Sequence, residues 1–295
     1  MRNSIASQIF EYCKQHKNGF LITGDAGFGV WEAFQNSMPQ QYINAGINEQ
    51  ATIGFAAGMA LSGHKTFIYN IAPFVLYRCY EQVRNDICYH DLPIVLIGIG
   101  SGITYAPAGM THYALEDIGL ARTMPNLDIF SPSDPMQAKK AVAYAIESKK
   151  PTYIRVSKSG EPLISSANAE ITDLDYLYSD GDYALLFHGS ISDEVITAYN
   201  MLLTEGIKVA VVSVVHLTAD RDMFAKLFDK YKKVFVIEEH FENGGLGTIL
   251  QEYGFSPIKI AIQNHFIHKI GNTKYLRKEF KIDASGIATT LKERI

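Results

Sequence analysis

Cysteine is scarce in this chain. Of its 295 residues only Cys13, Cys79 and Cys88 carry a thiol, an odd count with no C-x-x-C pair. That argues against a disulfide framework and a structural zinc site, and makes a reducing cytoplasm the compartment to expect. No apolar run approaches the ~20 residues that span a bilayer, so no membrane is expected as a partner. The opening residues Met1-Arg2-Asn3-Ser4 lead into a mixed segment with Glu11 and Lys14, not into the apolar stretch and cleavage site of a secretory signal. Neither sign of charge prevails: 27 Lys and Arg stand against 31 Asp and Glu, a formal charge of −4. Binding nucleic acid through bulk charge needs clustered basic residues, so nucleic acid is not an expected partner. Low-complexity tracts and internal repeats are missing. So are the phosphate loop G-x-x-x-x-G-K-[ST], the G-x-S-x-G elbow and H-E-x-x-H. Gly24-Asp25-Ala26-Gly27-Phe28-Gly29 follows a predicted strand but lacks the G-x-G-x-x-G spacing of a dinucleotide fingerprint.

What is present suits a chain with a sizeable core, since 47% of residues are hydrophobic and 20% charged. At roughly 150 residues per domain the length suggests two domains. Strands are predicted at 20–23, 66–71, 93–99, 128–131, 152–156, 183–187, 209–215, 234–238 and 258–262. Several are apolar at successive positions, as in Pro93-Ile94-Val95-Leu96-Ile97. A strand buried on both faces reads this way, which implies a parallel sheet covered by helices. Amphipathic stretches at 135–149 and 192–205 read as such helices. Pro135 suits a first helical turn with Ser133 or Asp134 as N-cap. The stretch 160–180, rich in Ser, Ala, Asn, Glu and Asp, reads as a linker. The expected fold is α/β in two domains, 1–165 and 180–295, each a largely parallel sheet covered by helices.

Four segments are candidates for chemistry. Asn44-Ala45-Gly46-Ile47-Asn48-Glu49-Gln50 precedes a helix of small residues, Gly54-Phe55-Ala56-Ala57-Gly58. Glu49 near its start is favoured by the helix dipole, and reads either as a cap or as a functional carboxylate. Ala108-Gly109-Met110-Thr111-His112 leads towards a predicted helix with Thr111 as N-cap. His112 there is either a donor to a polar substrate or part of a capping cluster. Phe74 and Tyr77, three apart on one helical face, serve either the core or a flat wall for an aromatic cofactor. Glu238-Glu239-His240 with Gly244-Gly245-Leu246-Gly247 reads as a tight strand-to-helix connection.

Taken jointly and in this order, these segments resemble the C-terminal half of transketolase, as do Met124-Pro125-Asn126-Leu127 and Ser131-Pro132-Ser133-Asp134 behind them. The resemblance covers nearly the whole chain and implies a pyrimidine-binding domain followed by a transketolase C-terminal domain. The family's diphosphate-binding domain, with its Gly-Asp-Gly motif for magnesium, has no counterpart, because Gly24-Asp25-Ala26 is a different pattern in a different place. The resemblance therefore implies a split enzyme. An N-terminal subunit would hold Mg2+ and the diphosphate of thiamine diphosphate, and self-association would give a dimer of heterodimers. It also implies roles for single residues. Glu49 matches the glutamate that activates the aminopyrimidine. Phe74 and Tyr77 match aromatics packing on that ring, and Ile71 stands where some relatives carry an earlier aromatic. Asp25 matches an aspartate at the cofactor-facing subunit interface, and His112 a histidine beside the sugar and the reacting centre. Lys158 falls where relatives place an arginine on the acceptor phosphate, with Arg155 as a second candidate. Ala108 and Gly100 stand where many relatives have an aspartate and some have a histidine for the substrate, which implies a specialised sugar or contacts from the partner. The expected reaction is ketol transfer from a ketose to an aldose. The alternatives are a 2-oxo acid dehydrogenase β subunit, a deoxyxylulose-phosphate synthase-like enzyme, and a non-catalytic scaffold or regulatory subunit.

Overall fold

The computed structural model describes residues 1–158, 160–165 and 170–295. A six-stranded sheet is built from β1 (Gly19–Thr23), β2 (Tyr42–Asn44), β3 (Lys65–Ile71), β4 (Val95–Ile99), β5 (Asp128–Phe130) and β6 (Thr152–Val156). Its order is β2-β1-β3-β4-β6-β5, and every pairing is parallel. A five-stranded sheet follows, from β7 (Asp175–Tyr178), β8 (Tyr183–Phe187), β9 (Val209–Ser213), β10 (Lys233–Phe241) and β11 (Ile258–Ile262), in the order β11-β10-β8-β9-β7. All five residues of β4 and of β9 are buried, the signature of strands covered by helices on both faces. The α/β architecture predicted from the alternating apolar runs is therefore present. Among the described residues no helix is long and apolar enough to cross a membrane.

Two strands were not legible. β2 is a three-residue edge strand with exposed residues, too short for an apolar run. β7 lies inside the stretch read as a linker, and pairs antiparallel with β9 as the edge of the second sheet. The linker reading is corrected there, while 166–169 of that stretch lie outside the described residues. The predicted strand 209–215 ends early, at Ser213. Beyond it the chain crosses to the first sheet, with Ser131 N donating to Val215 O at 2.8 Å and a bridge between Phe130 and His216. One apolar cluster runs through both units, joining Ile68 and Leu96 to Leu186, Val212 and Val236. Asp134 is the N-cap of the Pro135–Glu147 helix, its carboxylate accepting from Gln137 N at 2.8 Å.

Candidate active site

In a parallel sheet the chemistry gathers at the carboxyl ends of the strands. Asp25 follows β1, Glu49 follows β2, Ile71 and Phe74 follow β3, Gly100 follows β4 and Lys158 follows β6. Residues far apart in sequence thus reach one edge of the first sheet.

Glu49 opens the Glu49–Leu61 helix and is only 8% exposed. It accepts no bond from that helix's amides, so the capping reading fails. Its Oε1 meets Arg78 Nη1 at 2.8 Å, and its Oε2 has no hydrogen bond among the described residues. Arg78 is reached because the chain after β3 coils as a wide π turn over Pro73–Tyr77, with Arg78 N bonded to Pro73 O. The guanidinium also lies 4.5 Å above the half-buried Phe74 ring. His112 meets Phe74 edge-on, with centroids 5.3 Å apart. Glu49, Arg78, Phe74 and His112 form one contiguous row. Sequence reasoning assigned Arg78 no role. Its signal was its place four residues after Phe74, one helical turn on the same face.

Tyr77 turns another way. Its hydroxyl donates to Glu116 Oε2 and accepts from Glu116 N, each at 3.1 Å, and its ring packs on the core. Burial, then the charges of Asp117 and Glu116, push its phenol above the ordinary range, and burial likewise raises the Glu116 carboxyl. The structure ties Tyr77 to Glu116 rather than to Glu49. Ile71 is half-buried at the end of β3, and Asp25 is exposed. The exposed strip of the Glu49–Leu61 helix includes Ala51, Gly54, Phe55 and Gly58, so its small residues do not serve packing within this chain.

His112 sits in a short 3₁₀ turn, Met110–His112, with Nδ1 2.9 Å from Thr111 Oγ1. The N-cap reading of Thr111 is corrected, since the next helix begins at Asp117. Tyr105 lies 6.1 Å from the His112 ring and 5.2 Å below Lys158 Nζ. Gly100 has φ +90, and a Cβ there would come within 2.1 Å of the Tyr105 ring. The phenol thus occupies the space a side chain at position 100 would need.

Arg155 is corrected outright. At 1% exposure it donates from Nε to Asp117 Oδ2 at 2.7 Å and from Nη2 to Ala114 O at 3.1 Å. Side chains alternate along β6, so Arg155 faces inward while Lys158, past the strand end, stays exposed. Arg155 is a buried brace for the 114–117 loop, out of reach of a substrate.

The C-terminal residues expected to support a dimer are buried inside this chain. Glu239 accepts from Ile103 N at 2.8 Å and Arg277 Nε at 2.6 Å. Glu238 accepts from Leu246 N and Gly247 N. His240 donates from Nδ1 to Phe241 O at 2.7 Å, leaving Nε2 unpaired. Gly244 and Gly119 approach so closely that a Cβ on Gly119 would lie 3.2 Å from the Gly244 Cα. These groups fasten the second unit to the loop that carries His112.

The fit to a bound aminopyrimidine can be judged from these contacts. A buried carboxylate with one free oxygen, beside a half-buried aromatic ring, suits a flat heterocycle with a basic nitrogen. Among the described residues no group of three His, Cys, Asp or Glu side chains is placed to hold a metal.

The family model of the transketolase pyrimidine binding domain matches residues 1–161, and that of the transketolase C-terminal domain matches 175–287. One of the two chains of the apulose-4-phosphate transketolase of Actinobacillus succinogenes is 35% identical over 264 residues, covering 86% of this chain and 85% of that protein. A 6-deoxy-6-sulfo-D-fructose transketolase subunit of a Clostridium species is 28% identical, covering 99% of this chain and 94% of its own. A solved split-gene transketolase, an inactive tetramer of its beta chain, superposes with a TM-score of 0.87 at 26% identity, covering 99% of this chain and 96% of that one.

Proposed function

This chain belongs to the transketolase family, and on that premise we propose that it is the C-terminal subunit of a two-chain transketolase, moving a two-carbon ketol unit from a ketose to an aldose. The observation that carries the reading is the Glu49 carboxylate, buried yet with Oε2 free, in line with Phe74 and His112. The relatives named as subunits of transketolases cover this chain almost end to end.

Thiamine diphosphate, the family's cofactor, supplies when bound a thiazolium carbon able to add to a sugar carbonyl. Glu49 would share a proton with the pyrimidine ring nitrogen and so hold the ring in its imino form. Arg78 fixes the other carboxylate oxygen and keeps the side chain from rotating away. Phe74 would pack on the ring, with Ile71 and Tyr77 behind it. His112 would donate to a sugar oxygen and orient the carbonyl. Lys158 would meet the acceptor's anionic end as a point charge, without the bidentate fork of an arginine. Asp25 would face the subunit interface. The partner subunit would hold Mg2+ and the diphosphate, in a dimer of heterodimers in the cytoplasm. A site closed between chains excludes water from the reacting carbon.

The test mixes this chain with a subunit carrying the diphosphate-binding domain, thiamine diphosphate and Mg2+. Carbon transfer from ketose to aldose is followed against pyruvate decarboxylation. Ketol transfer that needs both chains is expected. Full activity of this chain alone overturns the split arrangement, and decarboxylation without ketol transfer overturns the reaction.

A further inference from the structure

We infer that this chain has a binding subsite for a tetrahedral oxyanion, the phosphate ester or sulfonate end of a sugar, in the cleft between its two sheets. Its ligands are Lys158 from the first unit and Ser190 and Lys274 from the second. The inference rests on the ketol-transfer reading and adds the second unit's contribution to substrate recognition.

The cleft is a cavity of about 220 Å³, lined by both lysines, Ser190 and Arg277. At ~30 Å³ per water molecule, it has room for an oxyanion and the carbon that bears it. Its charges can be counted. Arg277 is engaged by Glu239 at 2.6 Å, by Asp193 at 2.9 Å and by the Ser190 carbonyl at 2.7 Å. Asp193 on the cavity wall is thereby neutralised. Glu161, also on the wall, accepts from the Ser157 hydroxyl and lies 3.0 Å from the amino group of Met1. Neither Lys158 nor Lys274 has a carboxylate partner among the described residues. Two positive charges are left uncompensated on one cavity.

Ser190 supplies the independent sign of a ligand. It is 5% exposed, lines the cavity, and its hydroxyl has no hydrogen-bond partner among the described residues. A buried hydroxyl without a partner is unfavourable, and an oxyanion between the lysines would accept its proton. The cavity also adjoins the proposed reaction site. Lys158 lies over Tyr105, Tyr105 neighbours His112, and His112 touches Phe74. Because the Tyr105 ring covers Gly100, the wall between is an uncharged phenol, and the free positive charges begin at Lys158. The relatives' names fit this chemistry, one carrying a 4-phosphate and the other a 6-sulfo group.

The reconstituted pair is assayed with a phosphorylated sugar, its sulfonated counterpart and its unphosphorylated form. Lys274→Ala and Ser190→Ala are each expected to raise KM for the charged sugars about tenfold relative to KM for the neutral one. Lys274→Arg is expected to restore most of the loss. The larger of the phosphate and sulfonate effects identifies the natural oxyanion. Ketol transfer with an unchanged ratio of charged to neutral KM in folded variants overturns the subsite and leaves the reaction reading standing. If the wild-type pair transfers no ketol unit, titration of this chain with inorganic phosphate decides. A saturable rise in thermal midpoint that Lys274→Ala abolishes supports the subsite, and no rise overturns it.

Discussion

Glu49 and Arg155 show how little a residue's type says of its role. Both are nearly buried and both are ion-paired, yet one keeps an oxygen free and the other is bonded through all three guanidinium nitrogens. That difference separates a side chain able to act on a ligand from one that braces a loop. Exchange of Glu49 for Gln is therefore expected to reduce ketol transfer in the reconstituted pair at least 100-fold, the lower bound for loss of a positioned proton-transfer group. The fold should survive, because the Glu49 partner Arg78 is 46% exposed and can return to water. Circular dichroism and a melting curve beside the assay check both parts, and near-normal turnover removes Glu49 from the mechanism. Glu49, Phe74 and His112 were legible as candidates because each stands beside a loop-to-helix transition in the sequence. Arg78 and Tyr105 were not, since their significance is a matter of which ring or carboxylate lies across from them.

At the scale of elements, apolar runs announced the central strands and polar edges concealed the others. β4 and β9 are buried at every position, so any reading of hydrophobic pattern finds them. β2 and β7 are edge strands with exposed residues, and only their neighbours make them strands. Helix caps were more legible, because a short acidic side chain before proline has a direct physical meaning. Asp134 does more than the sequence suggests. One oxygen caps the Pro135–Glu147 helix, and the other accepts from Ile164 N at 2.9 Å and Ser165 N at 2.7 Å. Exchange of Asp134 for Ala should therefore cost about 2–3 kcal/mol, more than the typical ~1 kcal/mol of a cap alone. Asn at the same position should recover part of it. Denaturant unfolding of the three proteins measures the difference, and a loss confined to the cap value would mean that the 164–165 contact contributes nothing.

At the scale of the whole molecule, the two sheets are joined by a buried polar layer. His188 lies with Nδ1 2.9 Å from Ser131 Oγ and Nε2 3.3 Å from Glu238, and His240 has Nε2 3.9 Å from Asp117. Burial holds both imidazoles below their ordinary pKa, and the Arg155 charge adds to this, against the pull of Glu238 and Asp117. The unfolded chain takes up a proton at each histidine below about pH 6.5, whereas the folded chain does not. Stability is therefore lost as pH falls through that value, down to the depressed folded pKa. Unfolding midpoints between pH 7.5 and 5.5 should fall, and should fall less steeply for His240→Gln. Equal slopes for the variant and the parent would exclude His240 as a source.

The sequence alone determined the α/β class, the parallel character of the central strands and the family resemblance, and it singled out Glu49 as the candidate carboxylate. Each of these depends on local pattern: period, caps and ordered short motifs. Only the tertiary structure decided that Arg155 faces inward, that Tyr77 pairs with Glu116, that Tyr105 covers Gly100, and that Lys158 and Lys274 meet across a cleft. Those outcomes depend on what stands opposite a side chain, and in a parallel sheet crossed by a second unit the opposing group comes from tens to more than a hundred residues away.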